Sequence, residues 1–273
     1  MTTFSSQTAV TRIDKGRYSA EMDRSWWIVS GPNGGYVATI VLRAICAEVD
    51  EPRRSPRSIS LQFLRVPQEG EVLIEVVVER SGRSVSNVSA RMTQNGQLLV
   101  MAMAVLAESR ESSLSFDELP GLPLLADGSV VPTADQLDEE SLDASREVPM
   151  SGHYEQRWVI GGPPFEPLPF GQSLARTGGW LRPVGGEPID ALTLTAMTDA
   201  WLPPIFSRVS ETLLVPTVDL TIHLRGLPAD PYDFCFVLFE SPVARDGYLI
   251  EHGQIFDSQG LLLAESRQLA VVV

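Results

Sequence analysis

A chain of 273 residues with a net charge of -14 is long enough to bury one large core or two modest ones. Its acidity excludes a surface built to hold nucleic-acid phosphates, which needs a basic face. No run approaches the roughly 18 to 20 apolar residues of a membrane span, and the polar stretch from Met1 to Tyr18 lacks a signal-peptide core, so the expected address is the cytoplasm. Cys46 and Cys235 each stand in an apolar stretch, which predicts buried thiols and neither a disulfide framework nor a metal site.

Residues 17–29, RYSAEMDRSWWIV, read as short extended pieces, and SGPNGG at 30–35 reads as a turn. The next segment, YVATIVLRAICAEV at 36–49, reads as a helix. Val37, Ile40, Val41, Ala44 and Ile45 fall at the i, i+3, i+4, i+7, i+8 spacing of an apolar stripe. Its other face is hardly polar, with no Asp or Glu between Gly31 and Ala47. A helix apolar nearly all round must be enclosed, which predicts a central helix wrapped by an antiparallel sheet, an α+β plan. RSISLQFLR, EVLIEVVVERSG, SVSNVSARMTQNG and QLLVMAMAVLA supply the strands, with Ser-Gly and Asn-Gly turns that predict a meander.

Residues 108–150 carry Ser, Asp, Glu, Pro and Leu with no sustained period and read as an exposed acidic linker. Beyond it the plan returns. HYEQRWVIGG and GGWLRPVGG open the second half. ALTLTAMTDAWLPPIF gives its helix, closed by Pro203 and Pro204. TVDLTIHLRG, YDFCFVLFES, GYLIEHGQIFD and LLLAESRQLAVVV give its strands. RSISLQFLR answers TVDLTIHLR, setting Arg65 beside Arg225, and TQNGQLLVMA answers DSQGLLLAES, setting Gly96 beside Gly260. Repetition on this scale predicts a duplicated unit, with one repeat over 1–107, the linker over 108–150 and the second repeat over 151–273.

The copies differ in their polar residues. Asp199 stands on the second helix, where an enclosed carboxylate needs hydrogen-bond partners. Thr217 opens the following strand, and Gln268 interrupts the apolar terminal strand where the first copy has Ala104. Taken singly, a carboxylate at a helix end, a threonine at a strand start and a glutamine near a C-terminus are ordinary surface residues. Together a carboxylate, a hydroxyl and an amide can hold one water in place.

The segments MTDAWLP, VPTVDLT and SRQLA, with PNGGYV and RSISLQFLRVPQEG in the first half, resemble the acyl-CoA thioesterase II type, the bacterial TesB-like thioesterases. The resemblance spans nearly the whole chain and implies a double hotdog, two tandem helix-in-sheet repeats joined into one sheet. It implies hydrolysis of acyl-CoA to free fatty acid and CoA without a cofactor, and by analogy a homodimer. It gives Asp199, Thr217 and Gln268 the role of orienting the attacking water. Gly34, Gly35 and Tyr36 are candidates for substrate binding, because a glycine turn at a helix N-terminus presents free N–H groups to a developing oxyanion. The chain departs from the pattern at Arg57 and Ser60, where the family's first-half strand has histidines, and at Asp219, Leu220 and Thr221 in place of Asp-His-Ser.

Two alternatives stay open at this point, a non-catalytic acyl-CoA-binding protein and an enoyl-CoA hydratase on the same scaffold. The hydratase needs an Asp and a His near one water, and Asp219 and His223 are separated by roughly 13 Å of strand rise. His153, His223 and His252 are scattered without ligand spacing, and no G-x-S-x-G or Walker A motif occurs.

Overall fold

Asn33 begins the helix on which the first half is built: its side chain accepts the Tyr36 N–H, and α2 then runs from Gly34 to Val49. A short α1, Phe4–Gln7, precedes it near the N-terminus. Every α2 residue from Gly35 to Leu42 is buried, as an all-round apolar helix requires. The computed structural model describes residues 3–29, 31–116, 118–119, 121–125, 127–137, 148–161, 175–209 and 213–273. The part of the acidic linker at 138–147 lies outside the described residues. Among the described residues no helix is long and apolar enough to cross a membrane.

The strands are β1 (Thr11–Asp14), β2 (Arg17–Met22), β3 (Ser55–Phe63), β4 (Gly70–Ser81), β5 (Val85–Gln94) and β6 (Gln97–Ala107) in the first half. The second half supplies β7 (Tyr154–Ile160), β8 (Arg176–Pro183), β9 (Thr217–Leu224), β10 (Cys235–Arg245), β11 (Tyr248–Phe256) and β12 (Leu262–Val271). All twelve form one sheet in the order β1-β2-β4-β5-β6-β3-β9-β12-β11-β10-β8-β7. The double hotdog implied by the sequence is therefore present, with the repeats fused where β3 pairs with β9.

That seam corrects the sequence alignment of the two copies. Ile59 and Leu61 face the core from β3, and Leu220, Ile222 and Leu224 do so from β9. Pairing Arg65 with Arg225 would superpose Ile59 on Asp219, an outward position. Side chains alternate faces, so the copies match only when β9 is slid by one residue. Ser60 then corresponds to Thr221, its actual partner across the seam. The Thr221 hydroxyl donates to Ser60 Oγ at 3.0 Å there.

The second helix is shorter than its apolar run predicts. α3 spans only Ala191–Met197, capped by Asp190, whose side chain accepts the N–H groups of Leu192 and Thr193. Thr195 and Thr198 turn their hydroxyls back onto the carbonyls of Ala191 and Thr195, a competing pattern that weakens helices. The helix ends before Pro203 can stop it, and a 3-10 turn follows at Pro204–Ser207. Asp199 thus lies on the turn beyond α3 and not on the helix.

Part of the connection packs on the sheet. Val131 is buried against Trp180, Phe234, Phe236 and Leu238 on the outer face of the second half-sheet. Trp180 Nε1 donates to the Pro132 carbonyl at 2.8 Å. The Arg157 and Arg182 guanidinium groups, both paired with Glu155, cover the Phe234 ring from 4.6 and 4.1 Å.

Candidate active site

The start of α2 meets the turn after α3, and this crossing holds Asp199. Asn33 Nδ2 donates to Asp199 Oδ2 at 2.9 Å and also to the Asp199 carbonyl. The Gly35 N–H donates to the same Oδ2 at 3.1 Å. The approach is too close for side chains: a Cβ on Gly35 would lie 2.4 Å from the Ala196 carbonyl oxygen, and one on Gly34 would lie 2.9 Å from Asp199 Oδ2. The positive end of α2 therefore points at a carboxylate.

Burial pushes the Asp199 carboxyl up to about 6, opposed by the Gly35 N–H, the Gln268 amide and the Gly34 N–H. Asp199 is only partly shielded as a whole residue. Its accessible part faces a cavity of about 440 Å³. The walls are mostly apolar, including Val37, Phe63, Trp158, Leu202, Phe206 and Val218, with Thr217 and Gln268 beside Asp199. Trp158 and Trp201 pack together with ring centroids 4.6 Å apart. Val29 and Val66, 67% and 59% exposed, also line the cavity and mark its opening.

Thr217 and Gln268 come to Asp199 from adjacent strands. Thr217 Oγ1 donates to Gln268 Oε1 at 2.9 Å, and Gln268 Nε2 reaches Asp199 Oδ1 at 3.4 Å. The amide thus joins hydroxyl and carboxylate into one hydrogen-bonded row. With its proton given to Gln268, the Thr217 oxygen keeps lone pairs that can accept from a water.

Of the three residues expected to meet substrate through their N–H groups, only Gly34 lines the cavity. The Gly35 N–H is taken by Asp199, and the Tyr36 N–H by Asn33 Oδ1 at 2.9 Å. Tyr36 is fully buried, and its hydroxyl donates within the core to the Gln7 and Glu21 carbonyls. Gly35 and Tyr36 therefore shape the carboxylate's cradle and offer no free N–H.

Two site residues escaped the sequence reading. Asn33 was visible as part of a turn, but its double role as helix cap and carboxylate donor depends on α3 arriving 166 positions later. Glu251 lies on β11 opposite Gln268. It carried a usable signal, because Leu249, Glu251, Gly253 and Ile255 share one face by alternation and the apolar members are buried.

The first copy lacks these polar groups. The register that pairs Glu251 with Gln268 and Ala270 with Thr217 pairs Val88 with Ala104 and Leu106 with Pro56. Val88, Ala104 and Pro56 thus stand where the second copy has Glu251, Gln268 and Thr217. Asp219 and His223 point to the outer face of β9, where His223 is exposed and the Asp219 carboxylate accepts the Leu269 N–H at 3.3 Å.

Residues 23–107 match the acyl-CoA thioesterase N-terminal domain family, and residues 127–272 match the acyl-CoA thioesterase C-terminal domain family. An uncharacterized protein of Mycobacterium tuberculosis is 28% identical over 272 residues, covering 93% of this chain and 90% of that protein. A protein of Thermobifida fusca YX assigned as a thioesterase II superposes with a TM-score of 0.82 at 25% identity, covering 100% of this chain and 98% of that one. A hot dog fold protein from Alicyclobacillus acidocaldarius superposes with a TM-score of 0.84 at 22% identity, covering 99% and 97%, and so shares the fold.

Proposed function

Because the chain belongs to the acyl-CoA thioesterase family, we propose that it hydrolyses acyl-CoA to a carboxylic acid and free CoA with a water held by Asp199, Thr217 and Gln268. The observation that carries this reading is the Asp199 carboxylate set in an apolar cavity and tied through one amide to the Thr217 hydroxyl.

A water between Asp199 and Thr217 donates a hydrogen to each, which leaves an oxygen lone pair for the thioester carbonyl carbon. As the C–O bond forms, one water proton passes to Asp199 and the negative charge moves to the carbonyl oxygen. The net charge of the site is unchanged, so the positive end of α2 acts on it before and after the transfer. Collapse of the tetrahedral intermediate breaks the C–S bond, and the thiolate takes the proton from Asp199. The acyl chain occupies the apolar cavity. A carboxylate pushed up to about 6 is ionised at neutral pH yet more basic than an exposed aspartate.

The test is release of free thiol from a panel of acyl-CoAs by the native protein and by Asp199→Asn. Loss in the variant supports water activation. Tight acyl-CoA binding without thiol release by the native protein would instead make it a binding protein.

A further inference from the structure

Glu251 is more enclosed than Asp199, being 3% exposed, and the water-holding set leaves it without a task. β11 places it opposite Gln268, and its Oε1 accepts from Gln268 Nε2 at 2.6 Å. The same nitrogen reaches Asp199 Oδ1 at 3.4 Å, while Gln268 Oε1 takes the Thr217 hydroxyl proton. One NH₂ group thus lies between two carboxyl groups. A flipped amide would set its oxygen against the Asp199 carboxylate, so the arrangement selects one orientation.

Among the described residues no cation balances the two carboxyl groups. From β12, Ser266 and Ala270 share the face of Gln268, while Glu265 and Arg267 are exposed on the other. From β10, Ser241 brings a buried hydroxyl without a partner. Its neighbour Glu240 pairs with Arg176 of β8 at 2.8 Å on the outer face. The 3-10 turn Pro204–Ser207 carries no ionisable side chain. Among the described residues, Asp199 is the one charge that acts on Glu251. Two ionised carboxylates sharing one amide at the wall of a mostly apolar cavity repel strongly, so one of them keeps its proton.

We propose that Glu251 is a positioning residue of this site, a carboxyl group that stays protonated, locks the Gln268 amide toward Asp199 and Thr217, and holds the site at one negative charge. Its catalytic consequence rests on the hydrolytic reading above. The direction of titration agrees, since burial and then the Asp199 charge push Glu251 up to about 8. Between the two steps Asp199 is ionised and Glu251 neutral. Above the second step a second negative charge enters beside the developing oxyanion, and the rate falls.

The experiment is the pH profile of kcat/KM for decanoyl-CoA with the native protein, Glu251→Gln and Glu251→Leu. The native profile has an acid limb from Asp199 and an alkaline limb near pH 8. In E251Q the acid limb remains and the alkaline limb is gone, so its rate relative to native rises about 5-fold between pH 8 and 9. E251L, which removes the shortest of the amide's three hydrogen bonds, loses about 10-fold or more in kcat with KM little changed, and E251Q recovers most of that loss. An alkaline limb that survives in E251Q overturns the proposal, as does an E251L variant with native kcat. If the native protein hydrolyses no thioester, the hydrolytic reading fails by itself. Infrared titration then decides on Glu251: a protonated-carboxyl band at pH 7 that is absent from E251Q supports the assignment, and a native protein without that band refutes it.

Discussion

Gly35→Ala adds one methyl group at the tightest point of the site. Its carbon would lie 2.4 Å from the Ala196 carbonyl oxygen and 3.1 Å from Asp199 Cβ, against an ordinary contact of about 3.5 Å or more. The first obstacle is backbone of the last turn of α3 and the second is the Cβ of the turn residue Asp199, and neither can swing aside as a long side chain would, so α2 must back away by about 1 Å. Overpacking of this kind costs about 1–3 kcal/mol, offset by up to about 1 kcal/mol because alanine is the better helix residue. The same displacement breaks the 3.1 Å bond from the Gly35 N–H to Asp199. A hydrogen bond to a charged group is worth about 1.5–3 kcal/mol, equivalent to about one to two pH units. That bond favours the ionised form, so its loss moves the carboxyl further up from about 6 and carries the acid limb of the rate profile to higher pH. Urea unfolding and a pH–rate profile with one acyl-CoA measure the two effects. The variant is less stable, much slower than native at pH 6.5, and recovers part of the difference at pH 8. Native stability together with an unmoved acid limb would refute the placement of Asp199 against α2.

Thr217→Val keeps the shape of the strand and removes the proton that Gln268 Oε1 accepts; kcat falls about 10- to 100-fold with KM little changed, as steady-state kinetics on one acyl-CoA would show. Asp199 and Glu251 both have carboxyl groups raised in the folded state. At these two groups the native state binds more protons than the unfolded chain between about pH 4 and 8, so their contribution to stability falls as pH rises through that window. Chemical denaturation at pH 5, 7 and 9 should give a falling series in which Asp199→Asn and Glu251→Gln gain on the native protein toward pH 9. A stability that rises over that range would contradict the burial of both groups.

The parts of this fold that rest on local chemistry were legible in the sequence. The Asn95-Gly96 turn has both residues at positive φ, 51° and 74°, as the Asn-Gly pair between two strand patterns predicts. The enclosed α2 follows from its own apolar surface. The end of α3 was not legible, because ALTLTAMTDAWL has a helical apolar pattern and only the threonine back-bonds reveal where it stops. The alignment of the two copies by Arg65 and Arg225 is off by one residue, since the two Arg residues align by identity while the core faces align by parity. Asp199, Thr217 and Gln268 were named from motif context, and the structure brings them into one hydrogen-bonded row. The glycine turn shows the limit of local reading. The turn reads locally as a set of free donors, but the Gly35 N–H is taken by Asp199 through long-range packing and the Tyr36 N–H by its own helix cap, Asn33. Glu251 required the inward face of β11 to be recognised as the wall of a site.

The central claim is that Asp199 activates the water that cleaves the thioester. Its most direct test is free-thiol release from acyl-CoA by the native protein and by Asp199→Asn at pH 7.5, with acyl-CoA binding measured on both. The account predicts that the native protein releases CoA thiol and that the variant binds acyl-CoA while its kcat falls by about 100-fold or more. A variant that binds and hydrolyses at the native rate would contradict it.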